Sequence, residues 1–359
     1  MNTNNEQLIS KIPIIGDEQI ELLERLSNAC GVSGAEEEVR QIVLEQVKPY
    51  ADEITIDALG NVLVWRKGKN PDSMKVMLAA HMDEVGLMLV DSDEGGTFSF
   101  EIVGGIDERQ LVGKAVWVGK KHTPGVIGSR PIHLEDDLSR KIPVKSLKID
   151  LGPGGNDKAK PGDHACFATP FQKVGPSLIG KALDDRIGVA TLIELVKNAP
   201  YEVDLCAAFT VQEEVGLRGA RVAAYSFNPD VGIALDSTPA NDLPTWDEEE
   251  NVFYNTRLGF GAAIYIADNA TLSDPRLIKF FTSLAEEYNI QYQVRQPGTG
   301  GTDAGAIHKQ RMGIPSVSIS VPGRNAHSAV GIARISDWQS QLSWLFLALN
   351  RMNKSILQR

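Results

Sequence analysis

The sequence contains few cysteines, since only Cys30, Cys166 and Cys206 occur among its 359 residues. These residues lie far apart in the chain, and no C-x-x-C pair is present. The pattern fits a reducing cytoplasm, and at the level of sequence it excludes a disulfide framework and a cysteine zinc cluster. Any metal ion should therefore be held by histidine, aspartate and glutamate side chains.

The sequence also lacks long apolar runs and an excess of positive charge. No apolar stretch approaches the roughly 20 residues that a helix needs to span a bilayer. The first residues, MNTNNEQ, contain no cationic segment followed by an apolar one, so we expect no secretory signal. With 36 Lys and Arg against 47 Asp and Glu, the formal net charge is −11, which argues against binding phosphate backbones by charge. We expect a cytoplasmic protein with neither a membrane nor a nucleic acid as partner.

The hydrophobic pattern predicts an α/β protein that is interrupted by β structure. Hydrophobic residues make up 42% of the chain, and its length exceeds what one compact core usually accommodates. Helix-like repeats alternate with strand-like apolar runs in the first and last parts, whereas short β-like runs lie between Gly86 and Gly175. We therefore predict an α/β domain formed by residues 1–86 and 176–359, with an inserted all-β domain of the sandwich or barrel kind at 87–175.

Several apolar runs that are typical of buried strands are followed by a histidine or a carboxylate. The residues at these positions are His81 with Asp83, Glu213 with Glu214, Asp236 and His327. Asp184 and Asp185 open the helix predicted after the insertion and belong to the same rim. Because ligands of open α/β sheets bind beyond the carboxyl ends of the strands, we expect these side chains to meet there.

Each of these residues alone has an ordinary structural explanation. A single histidine is more often hydrogen-bonded than ligating, an aspartate at a helix start is usually a cap, and a glutamate pair is commonly solvated. Together, however, converging carboxylates repel each other and take up protons unless a cation compensates them. Imidazole and carboxylate ligands of this kind suit one or two zinc-like ions.

The neighbouring acids offer different roles at such a site. Along an extended segment His81 and Asp83 share a face, so Asp83 can accept a hydrogen bond from the imidazole and orient it. Glu213 and Glu214 point in different directions if the chain is extended there. One glutamate can then bind metal while the other holds a water molecule, and the pattern leaves open which does which.

The motifs around these residues resemble those of the dinuclear aminopeptidases. They are HMDEVG at 81–86, KALDDR at 181–186, VQEEVGLRGA at 211–220, ALD at 234–236, GTDAGAIH at 301–308 and GRNAHS at 323–328. More narrowly, the chain resembles the glutamyl aminopeptidase and tetrahedral (TET) aminopeptidase family, some members of which have been labelled cellulase M or endoglucanase. The resemblance covers nearly the whole chain, including the inserted segment.

The resemblance implies two divalent metal ions per subunit, with zinc expected first and cobalt or manganese as alternatives. Asp184 would bridge the two ions. His81 and Asp236 would complete one site, and Glu214 and His327 the other. The family pattern also implies a cis peptide bond between Asp184 and Asp185.

The resemblance also implies roles for two further acids and a mechanism. Glu213 would be the general base, and Asp83 would support His81. Hydroxide bridging the metals would attack the scissile carbonyl of a peptide with a free N-terminus, so the enzyme would be an aminopeptidase. The family pattern further implies a zinc-peptidase-like domain with a central mixed sheet flanked by helices. Its inserted barrel-like domain would form dimers, which assemble further into a dodecamer.

The substrate pocket is less clearly marked. Thr302, Asp303 and Arg324 are its candidate residues, and Asp303 is also expected to cap the helix that follows. The acidic loop at 237–261 would favour basic or neutral substrates if it lined the pocket, and would have no effect as a solvated loop. Two departures from the family pattern, Asn325 and Gly331, lie beside the last ligand and affect pocket details more than metal binding.

Three other functions explain parts of this pattern. A glycoside hydrolase would use two carboxylates and no metal, which would leave the histidine motifs without a role. A non-catalytic metal-binding protein would not need Glu213, and a related metal-dependent amidase or deacetylase would prefer N-acylated substrates. The remaining histidines belong to no comparable motif and are predicted to be structural or solvated: His122, His133, His164 and His308.

Overall fold

A computed structural model describes residues 3–134, 142–243 and 256–358 of the chain. The sequence also predicts a short turn at 134–141, and all of these residues except Leu134 lie outside the described ranges. The α-helices of the described ranges are α1 Thr3–Ile9, α2 Asp17–Asn28, α3 Glu37–Val47, α4 Leu183–Lys197, α5 Arg218–Phe227, α6 Pro275–Tyr288, α7 Ala304–Ile307 and α8 Ile335–Arg351. Within these ranges, none of the helices combines the length and the apolar character needed to cross a membrane.

The larger of the two sheets is mixed and has 11 strands. Its strands are β1 Glu53–Ile56, β2 Val62–Arg66, β3 Lys75–His81, β10 Gln172–Val174, β11 Ser177–Gly180, β12 Asp204–Thr210, β13 Val231–Pro239, β14 Ala262–Tyr265, β15 Tyr292–Arg295, β16 Ser316–Arg324 and β17 Gly331–Arg334. The main path runs β1-β2-β12-β3-β13-β16-β17-β11-β10, and β14 pairs with both β15 and β16.

Four neighbouring strands at the centre of this sheet, β12, β3, β13 and β16, run parallel. Nearly all of their residues are buried because helices cover the sheet, which explains their almost continuous apolar sequences. Helix α4 packs on β3 and β13 and is itself buried on nearly every side. The carboxyl ends of the four strands therefore lie side by side, next to the start of α4.

The second sheet is a closed barrel with the strand order β4-β5-β8-β7-β6-β9. Its strands are β4 Gly86–Asp93, β5 Thr97–Val103, β6 Ala115–Val118, β7 Thr123–Gly128, β8 Lys148–Asp150 and β9 His164–Phe167. The barrel has its own core of aliphatic and aromatic side chains, among them Leu89, Phe98 and Ile149. The chain passes from the larger sheet into the barrel within the motif at 81–86, because β3 ends at His81 and β4 begins at Gly86.

The predicted fold class, a mixed sheet flanked by helices with an inserted β barrel, is confirmed. The domain bounds at 1–86, 87–175 and 176–359 remain a prediction. The barrel strands fall between residues 86 and 167, whereas β10 pairs with β11 and belongs to the larger sheet.

Candidate metal centre

The carboxyl edge of the four parallel strands carries the residues that the sequence singled out. His81 is the last residue of β3, and Glu213 and Glu214 follow the end of β12. Asp236 lies inside β13, opposite Ser320 of β16, because this strand continues four residues further than the apolar run suggested. The fold thus collects side chains from separate strands at one edge, as expected for an open α/β sheet.

One cluster is formed by His81, Asp184 and Asp236. The Nε2 atom of His81 lies 3.3 Å from Oδ1 of Asp184 and 4.0 Å from Oδ1 of Asp236. One ligand atom from each of the three residues lies within 4.8 Å of the other two. These separations allow the three atoms to bind a single cation.

A second cluster is formed by Asp184, Glu214 and His327. The Nε2 atom of His327 lies 3.6 Å from Oδ2 of Asp184 and 3.4 Å from Oε2 of Glu214. Asp184 therefore presents Oδ1 to the first cluster and Oδ2 to the second. This is the arrangement that a bridging carboxylate requires.

The backbone at the start of α4 fixes Asp184 between the clusters. The expected cis peptide bond between Asp184 and Asp185 is present. The neighbouring carboxylate of Asp185 is buried and accepts hydrogen bonds from the backbone N–H groups of His81 (3.2 Å) and Gly188 (3.1 Å). It consequently ties the first turn of α4 to the end of β3.

The electrostatics of the clusters favour the binding of a cation. Burial raises the pKa of Glu214 to about 8, and burial together with the Asp184 charge raises the pKa of Asp236 well above its usual value. Burial alone would lower the pKa of His81, but the neighbouring carboxylates of Asp184 and Asp83 raise it well above its usual value. Carboxylates that are this costly to ionise are stabilised by a cation placed among them.

Asp83 organises two segments of the site. Its carboxylate accepts hydrogen bonds from Ser33 Oγ (2.6 Å) and from the backbone N–H groups of Glu213 (3.0 Å) and Glu214 (3.1 Å). The Nδ1 atom of His81 lies 3.1 Å from the Asp83 carbonyl oxygen and 3.6 Å from Oδ1 of its carboxylate. Although burial opposes ionisation, the hydrogen bonds from His81 and Ser33 hold the pKa of Asp83 below its usual value.

The comparison with known proteins agrees with this geometry. A model of the M42 glutamyl aminopeptidase family matches residues 60–343. The chain belongs to the M42 family. It is therefore a peptide-bond hydrolase, and metal dependence is a property of its family.

Relatives of this M42 enzyme match along nearly its whole length. A putative aminopeptidase of Acetivibrio thermocellus is 36% identical over 340 residues, which cover 93% of this chain and 99% of the relative. A lysyl aminopeptidase of Pyrococcus furiosus is 35% identical over 331 residues, which cover 88% of this chain and 92% of the relative.

Solved structures of similar proteins have the same fold. An aminopeptidase from the archaeon Desulfurococcus kamchatkensis superposes with a TM-score of 0.89 at 33% identity, covering 95% of this chain and 97% of the other. The TET1 peptidase of Pyrococcus horikoshii superposes with a TM-score of 0.83 at 32% identity, covering 93% of this chain and 100% of the other. That peptidase is described as able to assemble into a tetrahedron or a large octahedral shell.

A cavity of about 660 Å³ opens onto both clusters of the M42 enzyme. Glu213 lines it together with His81, Asp184, Glu214, Asp236 and His327. Burial, together with nearby acids such as Asp303 and Glu214, raises the pKa of Glu213 well above its usual value. A carboxyl group in this setting binds a proton more readily than one in water.

Two of the candidate pocket residues, Thr302 and Arg324, lie in different settings. Thr302 is buried with its hydroxyl 2.7 Å from Ser318 Oγ, and the loop contributes Thr299, Gly300 and Gly301 to the cavity wall instead. Arg324 pairs with Asp242, with Nε 2.6 Å from Oδ1, and lines a smaller recess of about 40 Å³ beside His327.

The predicted helix cap at Asp303 is wrong. Its side chain makes no capping hydrogen bond to α7. Instead, Oδ2 accepts a hydrogen bond from Thr210 Oγ1 at 2.6 Å, and burial raises the pKa of Asp303 to about 6. The partner is tertiary, because Thr210 ends the neighbouring strand β12, and Oδ1 of Asp303 has no hydrogen-bond partner among the described residues.

One supporting network was not anticipated. Glu84 accepts hydrogen bonds from Lys181 Nζ (2.7 Å) and Arg186 Nη2 (3.2 Å), and all three side chains are buried. Arg186 follows Asp184 by two residues in the sequence, but its ion pair is with Glu84. The signal was present in the sequence, since the three residues belong to the motifs at 81–86 and 181–186 that also carry His81 and Asp184. The network therefore joins the segments that hold those two residues.

Proposed function

We propose that this enzyme removes the N-terminal residue of peptides with two divalent metal ions, one in each cluster. The observation that carries the proposal is the pair of three-residue clusters that share Asp184 at the floor of one cavity. His81, Asp184 and Asp236 would hold one ion, and Glu214 and His327 would hold the other together with Asp184.

The donor atoms fit such ions. Oδ1 of Asp184 is buried and has no hydrogen-bond partner among the described residues, so a lone pair is left for a cation. Imidazole and carboxylate donors suit zinc, and they also accept cobalt or manganese. We therefore propose zinc as the resident metal. When bound, the two ions would polarise the scissile carbonyl and lower the pKa of the attacking water.

Glu213 is the residue we propose as general base. Its carboxylate lines the cavity beside both clusters, and its backbone is held by Asp83. It can accept a proton from the attacking water and deliver it to the departing amine, which are the two transfers that peptide hydrolysis needs. Asp83 acts as a positioning residue, because it also lies against the imidazole of His81.

A free substrate amine should be required. The cavity concentrates carboxylates, and an α-ammonium group is the part of a peptide that they attract. An N-acetylated peptide is therefore expected to be cleaved far more slowly than the same peptide with a free N-terminus, as measured by product analysis at equal concentrations. Comparable cleavage of the blocked peptide would contradict exopeptidase action and would favour an amidase or deacetylase.

We infer that Arg295 favours acidic N-terminal residues. Among the described residues that line the cavity, Arg295 is the only Lys or Arg. Its Nη2 donates to the Thr299 carbonyl oxygen at 3.0 Å, and its guanidinium lies 4.3 Å from the centre of the Tyr265 ring. In the acidic loop, Asp242 is paired with Arg324, and Asp247 to Glu250 lie outside the described residues.

Arg295→Gln should therefore reduce kcat/KM for substrates that begin with Glu or Asp, relative to substrates that begin with Ala. The expected change is roughly 10–100-fold, because a hydrogen bond to a charged group contributes about 1.5–3 kcal/mol. Aminoacyl-nitroanilides provide the measurement. Arg295→Lys keeps the charge and should retain the acidic preference, whereas an unchanged ratio in Arg295→Gln would exclude the role.

The enzyme is proposed to self-associate into a dodecamer built from dimers, with the barrel at 87–175 as the dimerisation domain. Support comes from the similarity to the TET1 peptidase, which covers the barrel as well as the larger sheet. Light scattering is expected to give a mass near twelve times the 39.0 kDa chain. A monomer at working concentration would contradict the assembly without affecting the chemistry.

A further inference from the structure

We propose that Cys30, Glu38 and His122 bind a further zinc-type metal ion, separate from the catalytic clusters. The proposal does not depend on the catalytic mechanism. It rests on soft and borderline donors that the fold brings together from different segments of the chain.

The donors converge from both parts of the molecule. Cys30 follows α2, and Glu38 lies in the first turn of α3. His122 lies in the turn between β6 and β7 of the barrel. One ligand atom each from Cys30, Glu38 and His122 lies within 4.8 Å of the others, the same separation that groups the two catalytic clusters.

The contacts within the group are shorter than those of the catalytic clusters. The Nε2 atom of His122 lies 2.6 Å from Oε1 of Glu38, so a metal ion can replace the proton that these two ligands share. The other carboxylate oxygen of Glu38 accepts a hydrogen bond from the backbone N–H of Cys30 at 3.0 Å, which orients the carboxylate. The Sγ atom of Cys166 lies 2.6 Å from that of Cys30, closer than two thiolates on one zinc ion, so Cys166 packs against the ligand Cys30 and is not itself a ligand.

The donor set identifies the class of metal. One thiolate, one imidazole and one carboxylate make a three-ligand set of the kind that zinc binds, with the fourth tetrahedral position left for water. Calcium and magnesium prefer sites made only of oxygen donors. A plain disulfide would use the two sulfur atoms but would leave the convergence of Glu38 and His122 on the same point without a function.

The group is accessible to an incoming ion. Cys30, Glu38 and Cys166 line a cavity of about 470 Å³ between α3 and the barrel. Cys166 itself is buried, whereas the side chains of His122 and Glu38 are each more than one third exposed. A metal bound here would link the barrel to the segment between α2 and α3, and it would therefore stabilise the junction of the two sheets.

Cobalt substitution provides the test, because it reports thiolate ligation directly. The catalytic clusters contain only nitrogen and oxygen donors, so Co²⁺ bound there gives no thiolate-to-metal charge-transfer absorption. The reduced, metal-free enzyme titrated with Co²⁺ is expected to develop this near-ultraviolet band. Cys30→Ser and His122→Gln should remove or strongly weaken it, and each should lower the bound zinc by one equivalent per chain.

Matched variants separate this site from the rest of the chain. Cys206→Ala removes the third thiol, which is buried in β12, and should keep the band. Asp184→Asn removes the proposed bridging ligand of the catalytic clusters and should also keep it. Absence of the band in the reduced wild-type enzyme would overturn the proposal. So would a band that persists in both Cys30→Ser and His122→Gln, or a Cys30–Cys166 disulfide in freshly isolated protein that contains no metal beyond the catalytic ions.

Because Cys30→Ser replaces a partly buried residue, His122→Gln serves as the second variant. His122 lies in a turn, and its ring packs on Trp117 with 6.4 Å between ring centres. The substitution leaves both thiols in place and changes one donor only. Unchanged cobalt spectra and zinc content in a folded His122→Gln enzyme would remove His122 from the site and would contradict the proposed ligand set.

Discussion

Glu213→Gln is expected to lower kcat by roughly 10²–10⁴-fold, the contribution of one positioned acid or base. Glutamine has nearly the same shape but cannot accept the proton of the attacking water. The backbone N–H of residue 213 still donates to Asp83, so the fold of the segment should be kept. Steady-state kinetics with a peptide substrate and the metal content of the same sample provide the measurement.

A second glutamate provides the matched control. Glu202 lies on the surface, where it pairs with Lys69, and Glu202→Gln should leave kcat unchanged. If Glu213→Gln hydrolysed peptides at the wild-type rate with its metals bound, another group would have to be the general base. If it lost metal instead, Glu213 would be a ligand, and the roles of Glu213 and Glu214 would have to be exchanged.

Asp184→Asn is expected to abolish activity by releasing metal from both clusters. Asp184 is the one residue that both clusters share, and asparagine loses the charge that would be presented to two cations. Elemental analysis should show loss of both catalytic ions, and peptidase activity should fall to background. In the wild-type enzyme, a chelator should produce the same loss of activity, with recovery on addition of Zn²⁺ or Co²⁺.

The control for this variant is Asp91→Asn, because Asp91 is exposed on the barrel strand β4. It should retain full metal content and activity. Peptidase activity that survived removal of metal would contradict a metal-dependent mechanism. It would favour metal-free chemistry by carboxylates, of the kind that glycoside hydrolases use.

The metal clusters could be anticipated because they depend on local rules that sequence records. Nearly continuous apolar runs predict parallel strands buried on both faces, and the carboxyl ends of such strands meet at one edge. His81, Glu214 and His327 could therefore be placed together before any coordinates were known. The family motifs added Asp184 as the bridge, and its position between two clusters agrees with that expectation. The ligand roles of these residues stay predictions until the variants are measured.

Contacts between distant segments could not be anticipated in the same way. Asp303 follows the helix-capping pattern, but its carboxylate instead accepts a hydrogen bond from the hydroxyl of Thr210 at the end of β12. Arg186 neighbours Asp184 in sequence, but its guanidinium reaches Glu84. In both cases the partner belongs to a segment that is distant in sequence and is buried with the side chain in the fold, and local sequence patterns carry no record of such contacts.

By itself, the sequence determined the strand and helix pattern, the β insertion and the set of acids and histidines at the strand ends. The cysteines show what it left undecided. Cys30 and Cys166 seemed unrelated at a separation of 136 residues, yet closure of the barrel against α3 brings their sulfur atoms to 2.6 Å, with Glu38 and His122 beside them. Periodicity and motifs report interactions between near neighbours in the chain, whereas the approach of the barrel to the larger sheet depends on the packing of the whole molecule.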